Sequence, residues 1–384
     1  MKRISKYFSM SAFMIMLSTL SSCQNTSKKV FDNQVEPMNI QYKRDLYEVE
    51  RNWITLKDDD LNIKLSVFIH IPVDADSTAK REILPVKDWQ IKHFDATSTK
   101  VGSQIANKAS LGIYDGAVNG MALDKKLPVL IFGPGLGWLS TDYYNIILPL
   151  VRHGVIVACI SATPISKTVY FPDDQFSNVT KSEADYHKSA EYLSYATNEL
   201  IKLSLDQNSV LFSKIDTTRI VVGGHSISGA SALLAASTNK NIKAIINLDG
   251  DVNDQISKLR PQQSILYFTS QPQGVSDTTI GTWADDRSEK RRDNSYTYNS
   301  SLAHTAFRIK IPNMYHLDFL DLAMLKDSIE QKFRKNRFGQ IKPDLSNDIV
   351  VNAIKLFIET NFENNENWDG FKKKYKNIYI DIRH

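Results

Sequence analysis

The stretch Ile220–Ser231, "IVVGGHSISGAS", indicates a strand that turns directly into a helix. Its β-branched start ends at two glycines, and Ser226 follows, ahead of small residues that favour a helix. In the pattern G-x-S-x-G a nucleophilic serine lies on such a sharp turn, because only small neighbours leave room around it. Here Ser228 stands where the pattern has its second glycine, and Gly229 comes one residue later. The stretch therefore predicts either a nucleophile at Ser226 or an ordinary serine that caps the helix.

Several apolar runs around this stretch predict the rest of the sheet. They are short and rich in β-branched residues, and helical patterns such as the one over 182–203 separate several of them: "LPVLIF", "GVIVACIS", "AIINL", "SILYFT" and "AFRIKI". Such runs are typical of strands that are buried on both faces, so we expect a mostly parallel sheet with helices on both faces. Two earlier runs, 46–56 and 61–73, flank the turn-like Asp58–Asp60 and predict an antiparallel strand pair at the N-terminal side.

The carboxyl ends of these strands carry further chemistry, and this is where reacting side chains collect in such sheets. Asp249 follows "AIINL", and His316 follows "AFRIKI". A histidine that accepts the proton of Ser226, and a carboxylate that orients this histidine, would activate the serine. Asp251 is the rival acid. His304 is the rival base, but it precedes its strand and would lie at the other end of the sheet.

A glycine-rich loop follows the first of the parallel strands, in "LPVLIFGPGLGW". Glycines let the backbone approach a reacting carbonyl closely, so that N–H groups can stabilise its developing negative charge. The amides of Leu136 and Ile227 are the predicted pair of donors. A phosphate site is the alternative for such a loop, but the pattern G-x-x-x-x-G-K-[ST] does not occur.

These motifs resemble the platelet-activating factor acetylhydrolase branch of the α/β-hydrolases, which includes bacterial esterase-like relatives. The resemblance covers about residues 127–371. It rests on the stretches "LPVLIFGPGLG", "GGHSISGA", "INLDG", "MYHLDFLD" and "DLSNDIVVNAIKLFIETNFENNENWD". It implies an α/β-hydrolase fold and the hydrolysis of short acyl or aromatic esters through a covalent acyl-enzyme, without a metal or another cofactor.

The resemblance also implies a role for five residues: nucleophile Ser226, acid Asp249, base His316, and the oxyanion donors Leu136 and Ile227. Two positions depart from the family pattern. Ser228 replaces the second glycine around the nucleophile, and Pro134 stands where many relatives have a histidine. An inactive binding protein on the same fold, an amidase and a thioesterase therefore remain alternatives to an esterase.

Two long connections are predicted to shape the substrate pocket as lid-like segments, at 161–186 and 272–304. Four aromatic residues are candidates for substrate contacts: Trp138, Tyr170, Phe171 and Trp283. Ordinary packing in the core is the alternative for each of them. The expected binding partner of the protein is therefore a small-molecule ester, its substrate.

The N-terminal residues have the pattern of a bacterial lipoprotein signal. Residues 1–22 begin with basic side chains and continue with an apolar run, and "LSSC" ends at Cys23. This predicts cleavage before Cys23, its acylation, a flexible tether over 23–42 and a single catalytic domain over 43–384. We then expect the protein to be anchored by lipid in the bacterial cell envelope, at the outer membrane. A plain secretory signal is the alternative.

The charge of the chain gives no reason to expect nucleic-acid binding. The formal net charge is +4, and removal of three positive charges with residues 1–22 lowers it to about +1. The mixed-charge run Arg287–Asp293 is interpreted as a solvated loop. With Cys23 acylated, Cys159 would be left alone in an apolar strand, so we expect no internal disulfide. No cysteine and histidine cluster has the spacing of a metal site.

Overall fold

A ten-stranded sheet runs through the centre of the computed structural model, which describes residues 47–74, 120–173, 175–272, 286–328 and 337–383. Its strands are β1 (Glu48–Asp58), β2 (Ile63–Asp74), β3 (Met121–Ala122), β4 (Leu127–Gly133), β5 (Ile156–Ser161), β8 (Ile215–His225), β9 (Ala244–Leu248), β10 (Ser264–Ser270), β11 (Ala306–Ile311) and β12 (Tyr379–Arg383). Across the sheet the order is β1-β2-β5-β4-β8-β9-β10-β11-β12, and β3 pairs with the end of β2.

The strands from β5 to β11 in this order are parallel to one another. The pairs β1–β2, β2–β5 and β11–β12 are antiparallel. The Asp58–Asp60 run begins at the last residue of β1 and continues into the turn before β2, and the Asp58 carboxylate accepts a hydrogen bond from the amide of Leu61 at 3.0 Å. The predicted mostly parallel sheet with an N-terminal antiparallel pair is confirmed.

Helices cover both faces of the sheet. They are α1 (Tyr144–Arg152), α2 (Tyr186–Leu205), α3 (Ile227–Thr238), α4 (Arg287–Asn299), α5 (Pro343–Phe362) and α6 (Trp368–Lys374). Successive side chains of a strand point to opposite faces. Leu130 and Phe132 of β4 accordingly pack in one apolar core with α1, α5 and α6, whereas Val129 and Ile131 pack in a second core with α2 and α3. The sequence prediction of helices on both faces is thus confirmed.

The two long connections differ in structure. Within 161–186, β6 (Thr168–Tyr170) and β7 (Phe176–Asn178) form a separate antiparallel pair. Within 272–304, the described part is mainly α4, which begins at Arg287. The mixed-charge run over 287–293 is therefore helical, and its interpretation as a solvated loop was wrong. Short 3-10 segments connect other elements, at Ser140–Tyr143, Ile256–Lys258, Ser300–Leu302, His316–Phe319 and Asp321–Ser328.

The predicted signal segment, the tether and the acylated Cys23 lie outside the described residues, so lipid anchoring stays a prediction. Among the helices that are described, none is long and apolar enough to cross a membrane. Cys159 lies buried in β5 as a free thiol, and burial raises its pKa well above the usual range.

Candidate active site

Ser226 lies on the sharp turn between β8 and α3. Its backbone has φ 54° and ψ −120°, a left-handed conformation that side-chain-bearing residues rarely adopt. Two hydrogen bonds hold the turn. The Ser226 amide donates to the carbonyl of Leu248 at 2.9 Å, and the Ala230 amide donates to the carbonyl of Ser226 at 3.1 Å. The turn directs the Ser226 side chain to the carboxyl end of the sheet.

Ser226, His316 and Asp249 form one hydrogen-bonded chain. The distance from His316 Nε2 to Ser226 Oγ is 3.0 Å, and the distance from His316 Nδ1 to Asp249 Oδ2 is 2.7 Å. Ser226 follows β8, Asp249 follows β9 and His316 follows β11, so the carboxyl ends of these parallel strands bring the three residues to one edge of the sheet. The His316 side chain is 44% exposed, while that of Asp249 is fully buried. A substrate could therefore reach the histidine but not the acid.

The buried carboxylate of Asp249 is held by three further contacts. Ser270 donates two hydrogen bonds to it, from its amide at 2.8 Å and from its hydroxyl at 2.6 Å, and Arg292 Nη1 lies 3.6 Å from Oδ1. Burial alone would raise the pKa of Asp249, but the Arg292 charge and the hydrogen bonds from His316 and Ser270 hold it well below its usual range. Asp249 therefore stays ionised beside His316.

The rival residues lie elsewhere. Asp251 forms an ion pair with Arg291 of α4. His304 lies at the amino-terminal end of β11, where its amide donates to the carbonyl of Gln262. His187 lies on the surface of α2 and bonds Gln255. Of the candidate acids and bases, the structure brings only Asp249 and His316 to Ser226.

The glycine-rich loop after β4 lies against the turn that carries Ser226. A Cβ atom built at Gly135 would be 3.4 Å from the Cβ of Ser226 and only 2.8 Å from Nδ1 of His225, so the close approach requires glycine there. Within the described residues, the amides of Leu136 and Ile227 donate no hydrogen bond to another protein group. These two predicted donors are therefore available to a ligand beside Ser226.

The four candidate aromatic residues have different positions. Trp138 is partly buried and packs against the core that contains α1, α5 and α6. The rings of Tyr170 and Phe176 are in contact, with centroids 5.8 Å apart. Phe171 is only 1% exposed and packs in a small cluster with Leu139, so its predicted substrate contact is corrected to core packing. Trp283 lies outside the described residues.

A cavity of about 420 Å³ opens beside His316. Its lining includes the side chains of Gln271, Arg292, Tyr315 and Arg337. The sequence did not reveal Arg292 as a residue of the site, because Arg292 belongs to a run of mixed positive and negative charges. Among the described residues, no group of three or more metal-ligating side chains comes together.

Known proteins of similar sequence include two platelet-activating factor acetylhydrolases. The platelet-activating factor acetylhydrolase of Gallus gallus is 24% identical to the chain over 286 residues, which cover 64% of each protein. That of Canis lupus familiaris is 30% identical over 178 residues, 38% of this chain and 40% of the relative. The chain thus spans less than two thirds of the length of these relatives. No protein-family model matches it.

A solved structure shares the fold. The ferulic acid esterase from Streptomyces cinnamoneus superimposes with a TM-score of 0.63 and 16% sequence identity, over 86% of this chain and 93% of the esterase. The sheet order, the antiparallel N-terminal pair and this superposition together confirm the predicted fold class. The chain has an α/β-hydrolase fold and is similar in sequence to platelet-activating factor acetylhydrolases.

Proposed function

We propose that the protein is a serine hydrolase that cleaves carboxylic esters with short acyl or aromatic groups. The observation that supports this most directly is the hydrogen-bonded chain from Ser226 through His316 to Asp249. A serine hydroxyl is a weak nucleophile on its own, and a histidine within hydrogen-bond distance is the usual means of activating it. The names of the similar proteins, an acetylhydrolase and a ferulic acid esterase, favour an ester as the bond that is cleaved.

In the proposed reaction, Ser226 Oγ attacks the ester carbonyl and His316 Nε2 takes its proton. The ionised Asp249 stabilises the resulting imidazolium and keeps its ring in place. The amides of Leu136 and Ile227 would donate to the oxyanion of the tetrahedral intermediate. His316 then protonates the leaving alcohol, and a water molecule releases the acyl group from Ser226 by the same steps.

The first prediction is that Ser226→Ala lowers kcat for p-nitrophenyl acetate at least about a thousandfold, because the acyl-enzyme cannot form. A fluorophosphonate probe should label the wild type at Ser226, as peptide mapping would reveal, and should not label the variant. Ser231→Ala is a matched control. Ser231 is a buried serine of α3, and its hydroxyl makes no hydrogen bond within the described residues.

A folded wild type that neither reacts with the probe nor hydrolyses the ester would refute the proposal and favour a binding protein on this fold. Matched ester, amide and thioester substrates with one acyl group would distinguish the alternative hydrolases. A kcat/KM that is highest for the ester supports the proposal. A higher value for the amide or the thioester would reassign the reaction while leaving Ser226 as the nucleophile.

A further inference from the structure

His225, the residue before the proposed nucleophile, forms a bridge between two parts of the site. Its side chain is 1% exposed. Nε2 lies 3.0 Å from the carbonyl oxygen of His316, and Nδ1 lies 2.9 Å from the hydroxyl of Tyr143. The same Tyr143 hydroxyl accepts a hydrogen bond from the amide of Gly135 at 2.9 Å. A buried chain of three hydrogen bonds therefore runs from the glycine-rich loop to the backbone of His316.

The direction of each hydrogen bond follows from the groups involved. The carbonyl of His316 can only accept, so Nε2 of His225 carries a proton. The Gly135 amide can only donate, so the Tyr143 oxygen accepts from it. When His225 is neutral and protonated at Nε2, its Nδ1 is an acceptor and the Tyr143 hydroxyl donates its own proton to it, which satisfies all three bonds. Burial, followed by the charge of a protonated His316, lowers the pKa of His225 well below its usual range and favours this neutral form.

The two ends of the chain are the two parts that must be aligned for acyl transfer. Gly135 precedes Leu136, the proposed oxyanion donor, in the loop after β4. His316, the proposed base, follows β11. The rings of His225 and His316 are in contact, with centroids 4.4 Å apart, so a shift of one ring would displace the other. An error of about 1 Å in such an alignment can cost a hundredfold in rate.

We propose that His225 and Tyr143 are positioning residues that hold the glycine-rich loop after β4 and His316 in a fixed geometry around Ser226. This inference rests on the proposed function, since it gives these residues a role in the same reaction. Neither residue touches the substrate in this proposal. Each acts through a backbone group, Tyr143 through the Gly135 amide and His225 through the His316 carbonyl.

The test begins with Tyr143→Phe, which keeps the ring and removes only the hydroxyl. We expect kcat for p-nitrophenyl acetate to fall about 10- to 100-fold, while KM stays within about twofold. Removal of an oxyanion donor usually lowers kcat about a hundredfold or more, and a donor that is only displaced should lower it less. Tyr144→Phe is the matched control. It is the same change in the adjacent buried tyrosine, whose ring packs edge-on against His70, and we expect it to leave kcat within about twofold.

A transition-state analogue separates positioning from a general loss of structure. The hemiketal that 1,1,1-trifluoro-2-butanone forms with a serine carries an oxyanion, so its inhibition constant should rise by about the same factor as kcat/KM falls. His225→Gln keeps a donor near the position of Nε2, and His225→Asn keeps an acceptor near that of Nδ1. Both should be less impaired than His225→Ala. Tyr143→Phe combined with His225→Ala should be little worse than His225→Ala, because both changes break one chain.

The outcomes distinguish this inference from the proposed function. A wild type without esterase activity would refute the proposed function itself. An active wild type with kcat of Tyr143→Phe within twofold would overturn the positioning role and leave the esterase intact. An inhibition constant that stays unchanged while kcat falls, or fully additive effects in the double variant, would also overturn it. If Tyr143→Phe does not fold, the comparison of the folded His225→Gln, His225→Asn and His225→Ala variants decides, and equal impairment of all three would refute the role.

Discussion

Ser228 puts a side chain where the pattern G-x-S-x-G has none, and the surrounding backbone accommodates it. The hydroxyl donates a hydrogen bond to the carbonyl of Pro134 at 2.6 Å. Cβ atoms built at Gly133 and Gly224 would each be 2.7 Å from the Cβ of Ser228, so these two glycines provide its space. The two departures from the family pattern, Ser228 and Pro134, therefore contact each other and tie the glycine-rich loop to α3.

We predict that restoring the pattern with Ser228→Gly destabilises the protein by about 1–2 kcal/mol. The variant leaves the buried carbonyl of Pro134 without its donor and places a flexible residue in the first turn of α3. Urea unfolding would measure the change. Ser228→Ala removes the hydroxyl alone, with its bond to Pro134 and its 3.4 Å contact with the hydroxyl of Ser189, and should lose about 1 kcal/mol. A glycine variant as stable as the wild type would show that the hydroxyl contributes nothing to stability.

The residues of the site differ in how far the sequence reveals them. Ser226, Asp249 and His316 each follow a recognisable strand, and parallel strands place their carboxyl ends at one edge, so their proximity was predictable. Tyr143 and Arg292 lie in helical segments, where sequence position does not tell which side chain points to the site. Arg292 is also one of several arginines in its run, and only the packing of α4 against β10 selects it as the partner of Asp249.

At the scale of elements, Asp321 links the segment after His316 to the start of α1. Its carboxylate accepts hydrogen bonds from the amides of Tyr144 and Asn145, at 2.8 and 2.9 Å, and from the Asn145 side chain at 2.9 Å. It thus acts as a helix cap supplied from a distant part of the chain. Because α1 follows the glycine-rich loop, this contact joins the elements that carry the two halves of the proposed site.

The same residue makes stability depend on pH. Burial raises the pKa of Asp321 to about 7, although the hydrogen bonds from Asn145 and Tyr144 oppose the rise. An unfolded chain loses this proton near the ordinary value of about 4. The proton held by the folded state therefore contributes stability that is complete below pH 4 and is lost as the pH rises to about 7.

Asp321→Asn removes this titration. We predict that the free energy of unfolding of the wild type, relative to the variant, falls by roughly 1–3 kcal/mol between pH 5 and pH 8. Urea unfolding of both proteins at each pH would measure this difference in the free energy of unfolding. The pH dependence that arises from all other titrating residues is the same in both proteins and cancels in the difference. A difference that stays constant over this range would mean that Asp321 is ionised throughout.

For the whole molecule, the sheet was predictable in its parallel centre but not at its C-terminal edge. The buried strands have uniform β-branched runs, which is a signal that needs no knowledge of partners. Strand β12, "YIDIR", is short and alternates charged with apolar residues, so the sequence alone does not show that it pairs with β11. Such a pattern fits an edge strand, with one face on the core and the other toward solvent.

Strand β12 covers the edge of β11, whose six residues are all buried. We predict that a chain ending at Ile378 has a Tm about 5 °C lower, because the packing of Ile380 and Ile382 on the core would be lost. We also predict that this chain associates at high concentration, because β11 would then present unpaired backbone groups. Calorimetry and light scattering after size-exclusion chromatography would measure the two effects.

Arg383→Ala is the matched control for this truncation, since it keeps the strand and removes only its last side chain, which lies 4.6 Å from the ring of Tyr296. We expect this variant to elute like the full chain, with a Tm decrease of about 1–2 °C. If the truncated chain kept both the Tm and the elution position of the full chain, backbone pairing by β12 would not protect the sheet. In that case the contacts of α5 and α6 with the core would be enough to hold β11 in place.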